Sequence, residues 1–192
     1  MSSTAVPVLF RIRRARPDDA PAIATLGAAV FTSTFKDSGC TPEQLQKFLS
    51  ETYTPSAIVS EMSDPSKDIL VAVGAESDSH PGPDGEAIVG FTQMTRGSHL
   101  QEPCARDLAA PVELQRLYVG TGQHGKGVGR ALADAVEDLA RREGFRHIWL
   151  GVWEENHRAQ RFYANRGFRR IGEHVFDVGG DLQTDEIMFK AL

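Results

Sequence analysis

Ten residues constrain this chain more than any others: Gly120-Thr-Gly-Gln-His-Gly-Lys-Gly-Val-Gly129 sets five glycines directly ahead of a helical pattern. Glycine carries no Cβ, so successive backbone N–H groups stay unobstructed, and those at a helix N-terminus have no partner within the helix. The positive end of the helix dipole falls at the same point, which makes the segment a cradle for a phosphate or pyrophosphate. A tight strand-to-helix turn is the plainer explanation, but one or two glycines would satisfy it.

The surrounding pattern supplies the strand and the helix. Residues 112–119 read as a strand, and residues 127–143 as a helix with Arg141 and Arg142 in its last turn and Gly144 as the stop. Further along, 147–153 is a strand, 156–166 a helix closed by Gly167, and 168–176 and 184–189 two final strands. Earlier, a strand at 8–13 leads to a helix opened by Pro17-Asp18-Asp19 with Ile23, Leu26 and Val30 at helical spacing. Thr41 caps a second helix with Pro42 at its first position, and its stripe of Leu45, Phe48 and Leu49 is expected to bury against the sheet. A helical turn at 58–62 and strands at 69–73 and 87–94 follow, the last two separated by an expected mobile hairpin loop over 76–85. Residues 97–111 are irregular and suited to substrate contacts. The sum is a mixed α/β sheet whose ligand crevice lies between strand and helix at the glycines.

Three phosphate-binding motifs compete there. Gly120, Gly125 and Lys126 satisfy the P-loop spacing, but Gly127 stands where Ser or Thr must hold magnesium. Gly120, Gly122 and Gly125 match the dinucleotide fingerprint, yet the preceding strand carries Glu113, Gln115 and Arg116 instead of an apolar run. The third motif fits more of the context. Leu117-Tyr118-Val119, a five-residue spacer, Gly125-Lys126-Gly127-Val128-Gly129 and Leu132 closely resemble the acetyl-CoA signature of the GNAT superfamily. Asn156 through Ala159, Phe162, Tyr163 and Gly167-Phe168 resemble its second motif at a compatible distance.

The resemblance is close over residues 112–192 and general before them. It implies one N-acetyltransferase domain over 1–192, with a mixed, mostly antiparallel sheet of six or seven strands flanked by helices. Its central strands would splay into a coenzyme cleft. Acetyl-CoA is the implied cosubstrate, with strand amides around Leu117, Tyr118 and Val119 on the pantetheine arm. Gly125, Lys126, Gly127, Val128 and Gly129 would grip the pyrophosphate beside His124, with Arg130 and Ala159 among the further coenzyme contacts, and Asn156 and Tyr163 on one helix face would serve the thiol and the pantetheine. His124 departs from the Gln or Arg usual in the family, and a neutral imidazole brings less positive charge. The segment Gly151-Val-Trp-Glu-Glu-Asn156 with Asp181-Leu-Gln-Thr-Asp185 resembles the branch that includes bacterial spermine and spermidine acetyltransferases, so a polyamine is the first acceptor to consider.

Moving acetyl from a thioester to an amine needs a base for the ammonium, a stabilised oxyanion and a proton for the thiolate. Glu113 is the candidate base, six residues before Val119 and on its face by strict alternation. Tyr163 is the candidate acid, and Asn156 lies seven residues earlier on the same helix face. A strand amide near Leu117 or Val119 would hold the oxyanion. The structural alternatives are an exposed strand carboxylate, a core aromatic and a helix N-cap for Glu113, Tyr163 and Asn156. His99 and Cys104 read as incidental, and His147, His157 and His174 as surface or structural residues. Glu154, Glu155, Asp177, Asp181, Asp185 and Glu186 read as a solvated acidic face, none of them singled out.

Composition narrows the partners. A net charge of −5 disfavours nucleic acid, and two cysteines without metal-ligand spacing give no disulfide framework or zinc site. No stretch reaches the ~18 apolar residues of a membrane span or forms a signal peptide. The expectation is a cytoplasmic monomer or homodimer that acts on a small-molecule amine without a metal. A non-catalytic acetyl-CoA-binding module and a nicotinamide-dependent oxidoreductase remain as alternatives.

Overall fold

The computed structural model describes residues 10–74 and 86–192. The first half runs β1 (Phe10–Arg14), a 3-10 turn (Pro17–Asp19), α1 (Ala20–Phe35), α2 (Pro42–Thr52), α3 (Pro55–Ser63), β2 (Lys67–Gly74) and β3 (Ala87–Thr95). After a 3-10 turn (Ser98–Gln101) come β4 (Pro111–Val119), a third such turn (Thr121–Gln123), α4 (Val128–Arg142), β5 (His147–Trp153), α5 (His157–Asn165), β6 (Arg169–Val178) and β7 (Asp181–Ala191). Residues 8 and 9 of the expected first strand and the loop expected over 76–85 lie outside the described residues.

The seven strands form one sheet in the order β1-β2-β3-β4-β5-β7-β6. Every described pairing is antiparallel except β4 with β5, which α4 connects. On one face α1 packs its Ile23, Leu26 and Phe31 onto Ile69, Val71 and Phe91. On the other, Val136 and Ala140 of α4 meet Met94, Val112, Ile148 and Leu150, while its first turn covers Ala72, Val89 and Val119 through Val128 and Leu132. Ile23, Leu26, Val136 and Ile148 are wholly buried, each worth about 1.5–3 kcal/mol of removed apolar surface. No helix among the described residues is long and apolar enough to cross a membrane.

Local chemistry explains the helix boundaries. Thr41 Oγ1 accepts from the Gln44 amide while Gln44 Oε1 accepts from the Thr41 amide, a reciprocal cap with Pro42 at the first helical position. Thr54 caps α3 through the Ala57 amide, so that helix starts three residues before the expected turn. The stripe on α2 is a correction. Leu45, Phe48 and Leu49 stay partly buried and cover α1, with Phe48 stacked on Phe31 at 4.4 Å, because α1 already occupies the sheet face.

Candidate active site

β4 and β5 pair over only three positions, Pro111 with His147, Val112 with Ile148 and Glu113 with Trp149. Beyond them the strands part. The register of β4 on β3 passes from Met94–Leu114 to Gln93–Arg116, so Gln115 is an extra residue and the strand bends there. Gln115 is held in the bulge by donors from Gln93 and Thr95, each at 2.7 Å. The Gly120 amide bonds Val89 of β3, and alternation then turns the Leu117 and Val119 amides toward the gap that β5 has left.

That gap opens into a cavity of about 670 Å³. Leu117 and Val119 form its strand wall, the glycine loop and Arg130 its floor, and Asn156, Arg158, Ala159, Phe162 and Tyr163 of α5 its far side. Gly125 and Gly127 have φ of +78° and +86°, and Gly127 is the residue that caps α4. No atom stands within 4 Å of where their Cβ atoms would be, so this backbone faces open space at a helix N-terminus. The cradle, the free strand amides and two arginines fit a pantetheine arm ending in a pyrophosphate.

Two of the expected contacts fall elsewhere. Lys126 is exposed and lines neither this cavity nor its neighbour. The Tyr118 side chain points to the opposite face of the sheet, where its hydroxyl meets that of Tyr53 at 2.7 Å. Positive charge beside His124 comes instead from Arg158, whose Nη1 lies 2.9 Å from the ring Nδ1. Burial, and then the Arg158 charge, hold the imidazole below its ordinary pKa, so the neutral ring accepts from the guanidinium.

The bulge at Gln115 also corrects the position of Glu113. Alternation is inverted across it, so Val112, Leu114, Leu117 and Val119 share the α4 face, while Glu113, Arg116 and Tyr118 share the α1 face. Glu113 there lines a second cavity of about 470 Å³, walled by Phe31, Phe35, Phe48, Tyr53, Trp149, Trp153 and Phe176. Burial raises its carboxyl above the usual range. Arg116 is committed to Glu61 and to Gln93 at 2.8 Å, with its guanidinium 5.3 Å from the Tyr53 ring centre.

The two cavities share Leu117, Asn156, Ala159 and Tyr163 as lining. Asn156 Oδ1 also caps α5 by accepting from the Ala159 amide at 3.1 Å. Tyr163 is 8% exposed, and burial, followed by the nearby Tyr118, pushes its hydroxyl well above the ordinary tyrosine range. It therefore remains protonated at the junction.

Residues 43–168 match the acetyltransferase (GNAT) family. The chain belongs to that family. It is 31% identical to an N-acetyltransferase from Lactobacillus delbrueckii subsp. lactis, over 91% of this chain and 92% of that one. An N-acetyltransferase from Mycobacterium tuberculosis is 32% identical over 91% and 98%. Among solved structures, the PaiA N-acetyltransferase from Thermoplasma acidophilum, determined with coenzyme A, superposes with a TM-score of 0.69 over 95% and 99% of the two chains at 20% identity. The GNAT fold expected from the two motifs, with its splayed central strands, is thus the fold observed.

Several residues of the GNAT clefts escaped the sequence. Asp185, grouped with the solvated acids, lines the second cavity, and burial together with the Glu113 charge pushes its carboxyl up to about 7. Glu102, 4% exposed, lies in the same lining and accepts from His174 Nδ1 at 3.0 Å. Arg158 was passed over between Asn156 and Ala159. A strict two-residue alternation along β7 that put Asp185 with Ile187 was the one signal available for Asp185. Among the described residues, no group of three or more His, Cys, Asp or Glu side chains is placed to hold a metal ion.

Proposed function

We propose that this acetyltransferase carries acetyl from acetyl-CoA directly to the primary amine of a small cationic acceptor, with polyamines as the first class to test. The observation that carries the reading is the meeting of two cavities at Leu117, Asn156 and Tyr163. One suits the coenzyme and the other, walled by aromatic rings and carboxylates, suits an ammonium ion. Acetyl-CoA supplies an activated acyl group, and the chain's own groups do the rest. The glycine loop, Arg130 and Arg158 hold the pyrophosphate, and the Leu117 and Val119 amides align the pantetheine arm and oppose the negative charge that develops on the thioester oxygen.

A carboxylate of the acceptor cavity, Glu113 or its neighbour Asp185, takes the ammonium proton directly or through water, which exposes the nitrogen lone pair. Tyr163 gives its proton to the departing thiolate. The fixed position of Tyr163 at the junction supports one transfer step with both substrates bound, without an acetylated side chain.

Coenzyme A thiol release, followed across a panel of diamines, polyamines and aryl-alkylamines, tests the reading. Acetyl-CoA should raise Tm while NAD and ATP leave it unchanged. Stabilisation by NAD to the same extent would remove the reading. Acetyl-CoA binding without thiol release for any amine would assign the chain to the non-catalytic alternative.

A further inference from the structure

The acceptor cavity contains a carboxylate that no cation among the described residues neutralises. Asp185 sits on β7 in register with Trp153 of β5 and His174 of β6, and the bare backbone of Gly151 makes room for its carboxylate. Among the described residues this carboxylate has no hydrogen-bond donor and no ion-pair partner. Burial, and then the charge of a second acid, Glu113, push the Asp185 carboxyl up to about 7. Two adjacent half-buried carboxylates are unfavourable together, and the penalty is relieved when a cation enters between them.

The surroundings select an organic cation. Trp153, Phe35 and Phe176 line the same cavity, and aromatic faces attract ammonium groups. Trp149, 5% exposed and part of that lining, keeps an indole N–H without a hydrogen-bond partner, a donor for an acceptor group of the ligand other than its ammonium. The cavity's own basic groups are already used, Arg116 by Glu61 and Gln93 and His174 by Glu102.

We propose that Asp185, backed by the charge of Glu113, seats the ammonium group of the acceptor and is the first group to take its proton. The proposal rests on the acetyl-transfer reading above and names the residue that binds its second substrate. One N–H bond of the ammonium breaks as an O–H bond forms on Asp185. The freed lone pair then makes the C–N bond to the acetyl carbon while the C–S bond breaks, and the thiolate takes a proton from Tyr163. The extra proton on nitrogen passes to the Tyr163 oxygen, and the proton on Asp185 leaves to water. Ammonium and thioester thus become amide, thiol and one released proton. The other titratable groups facing this position are Glu113, Arg116 and Tyr118 from β4, Glu102 from the turn before it, His174 from β6, Tyr53 after α2 and Tyr163 from α5.

Calorimetric titration with phenethylammonium, with and without coenzyme A, in buffers of different ionisation enthalpy at pH 7 reads the site without turnover. The wild type should bind and release about half a proton, because a carboxyl with pKa near 7 must ionise fully to pair with the cation. Asp185→Asn should weaken binding at least tenfold and abolish the release, whereas Glu113→Gln should bind with less release, since Asp185, then raised by burial alone, is more ionised beforehand. In turnover, Asp185→Asn should remove the acid limb of the kcat/KM profile and Glu113→Gln should move it to lower pH. Absence of wild-type binding, unchanged binding and proton release in Asp185→Asn, or a limb removed by Glu113→Gln instead would overturn the proposal. Failure of acetyl-CoA to raise Tm would overturn the acetyl-transfer reading separately, since the amine titration is also run without coenzyme.

Discussion

A Cβ on Gly151 would fall 2.7 Å from Oδ2 of Asp185, so the bare backbone of β5 lets the β7 carboxylate lie across it. The obstructing atom is the end of a side chain, which can swing away. Gly151→Ala should therefore fold and bind acetyl-CoA as the wild type does, yet lose about tenfold in kcat/KM for the amine as Asp185 is displaced. Equal kcat/KM values in the two proteins would show that the position of this carboxylate is immaterial.

Asp185 also makes a stability prediction. A carboxyl raised from 3.8 to about 7 binds more protons folded than unfolded between those values, so stability falls as pH rises through that window. Asp185→Asn removes the penalty. Allowing for solvent in the cavity, it should gain roughly 2 kcal/mol at pH 8, or about 4–8 °C in Tm, with the gain vanishing near pH 4. Thermal melts of both proteins across that pH range decide it, and a gain independent of pH would assign the effect to something other than this ionisation.

Arg158 is expected to supply the charge that His124 lacks. Arg158→Ala should raise the acetyl-CoA Kd about tenfold, the size of one charge-assisted hydrogen bond to a phosphate. His124, no longer opposed by the guanidinium, should then protonate more readily, so the variant should recover part of its affinity below pH 6. Titrations at pH 5.5 and 8 would show this, and a loss equal at both values would leave His124 out of the site.

Tyr163→Phe keeps the ring contacts with Phe162 and Phe168, at 5.3 and 5.5 Å, and removes only the hydroxyl at the junction. Fold and acetyl-CoA affinity should survive while turnover falls about 10²-fold. A smaller loss would indicate positioning, because a thiol with pKa near ~8.5 is a fair leaving group unaided. Wild-type turnover at saturating acetyl-CoA would make Tyr163 structural.

At Gly127 two effects must be separated. Its φ of +86° strains any side chain regardless of ligand, so Gly127→Val should lower Tm by an amount matching about 1–2 kcal/mol or more. Acetyl-CoA affinity should fall as well, since the new side chain projects from the cradle. A lower Tm with unchanged Kd would leave the glycine responsible for backbone conformation alone.

The features legible in the sequence are those that short stretches determine. The glycine loop, the caps at Thr41 and Asn156, the stop at Gly144 and the strand at 147–153 follow from chemistry within a few residues, and the two linked motifs carried the family with them. Asn156 and Tyr163 reached both cavities because a helix fixes its own faces. The rest depended on partners far away in the chain. The Gln115 bulge exists through Gln93 and Thr95 of β3, and it put Glu113 on the α1 face with Tyr118, against the simple alternation that would have placed it with Val119. Asp185 became an active-site candidate only when β7 inserted between β5 and β6 and placed it near Glu113, some seventy residues earlier, in surroundings dry enough to raise its pKa. Burial and proximity of this kind are properties of packed elements, so the sequence determined the coenzyme loop while tertiary structure decided where the charges of the acceptor cavity meet.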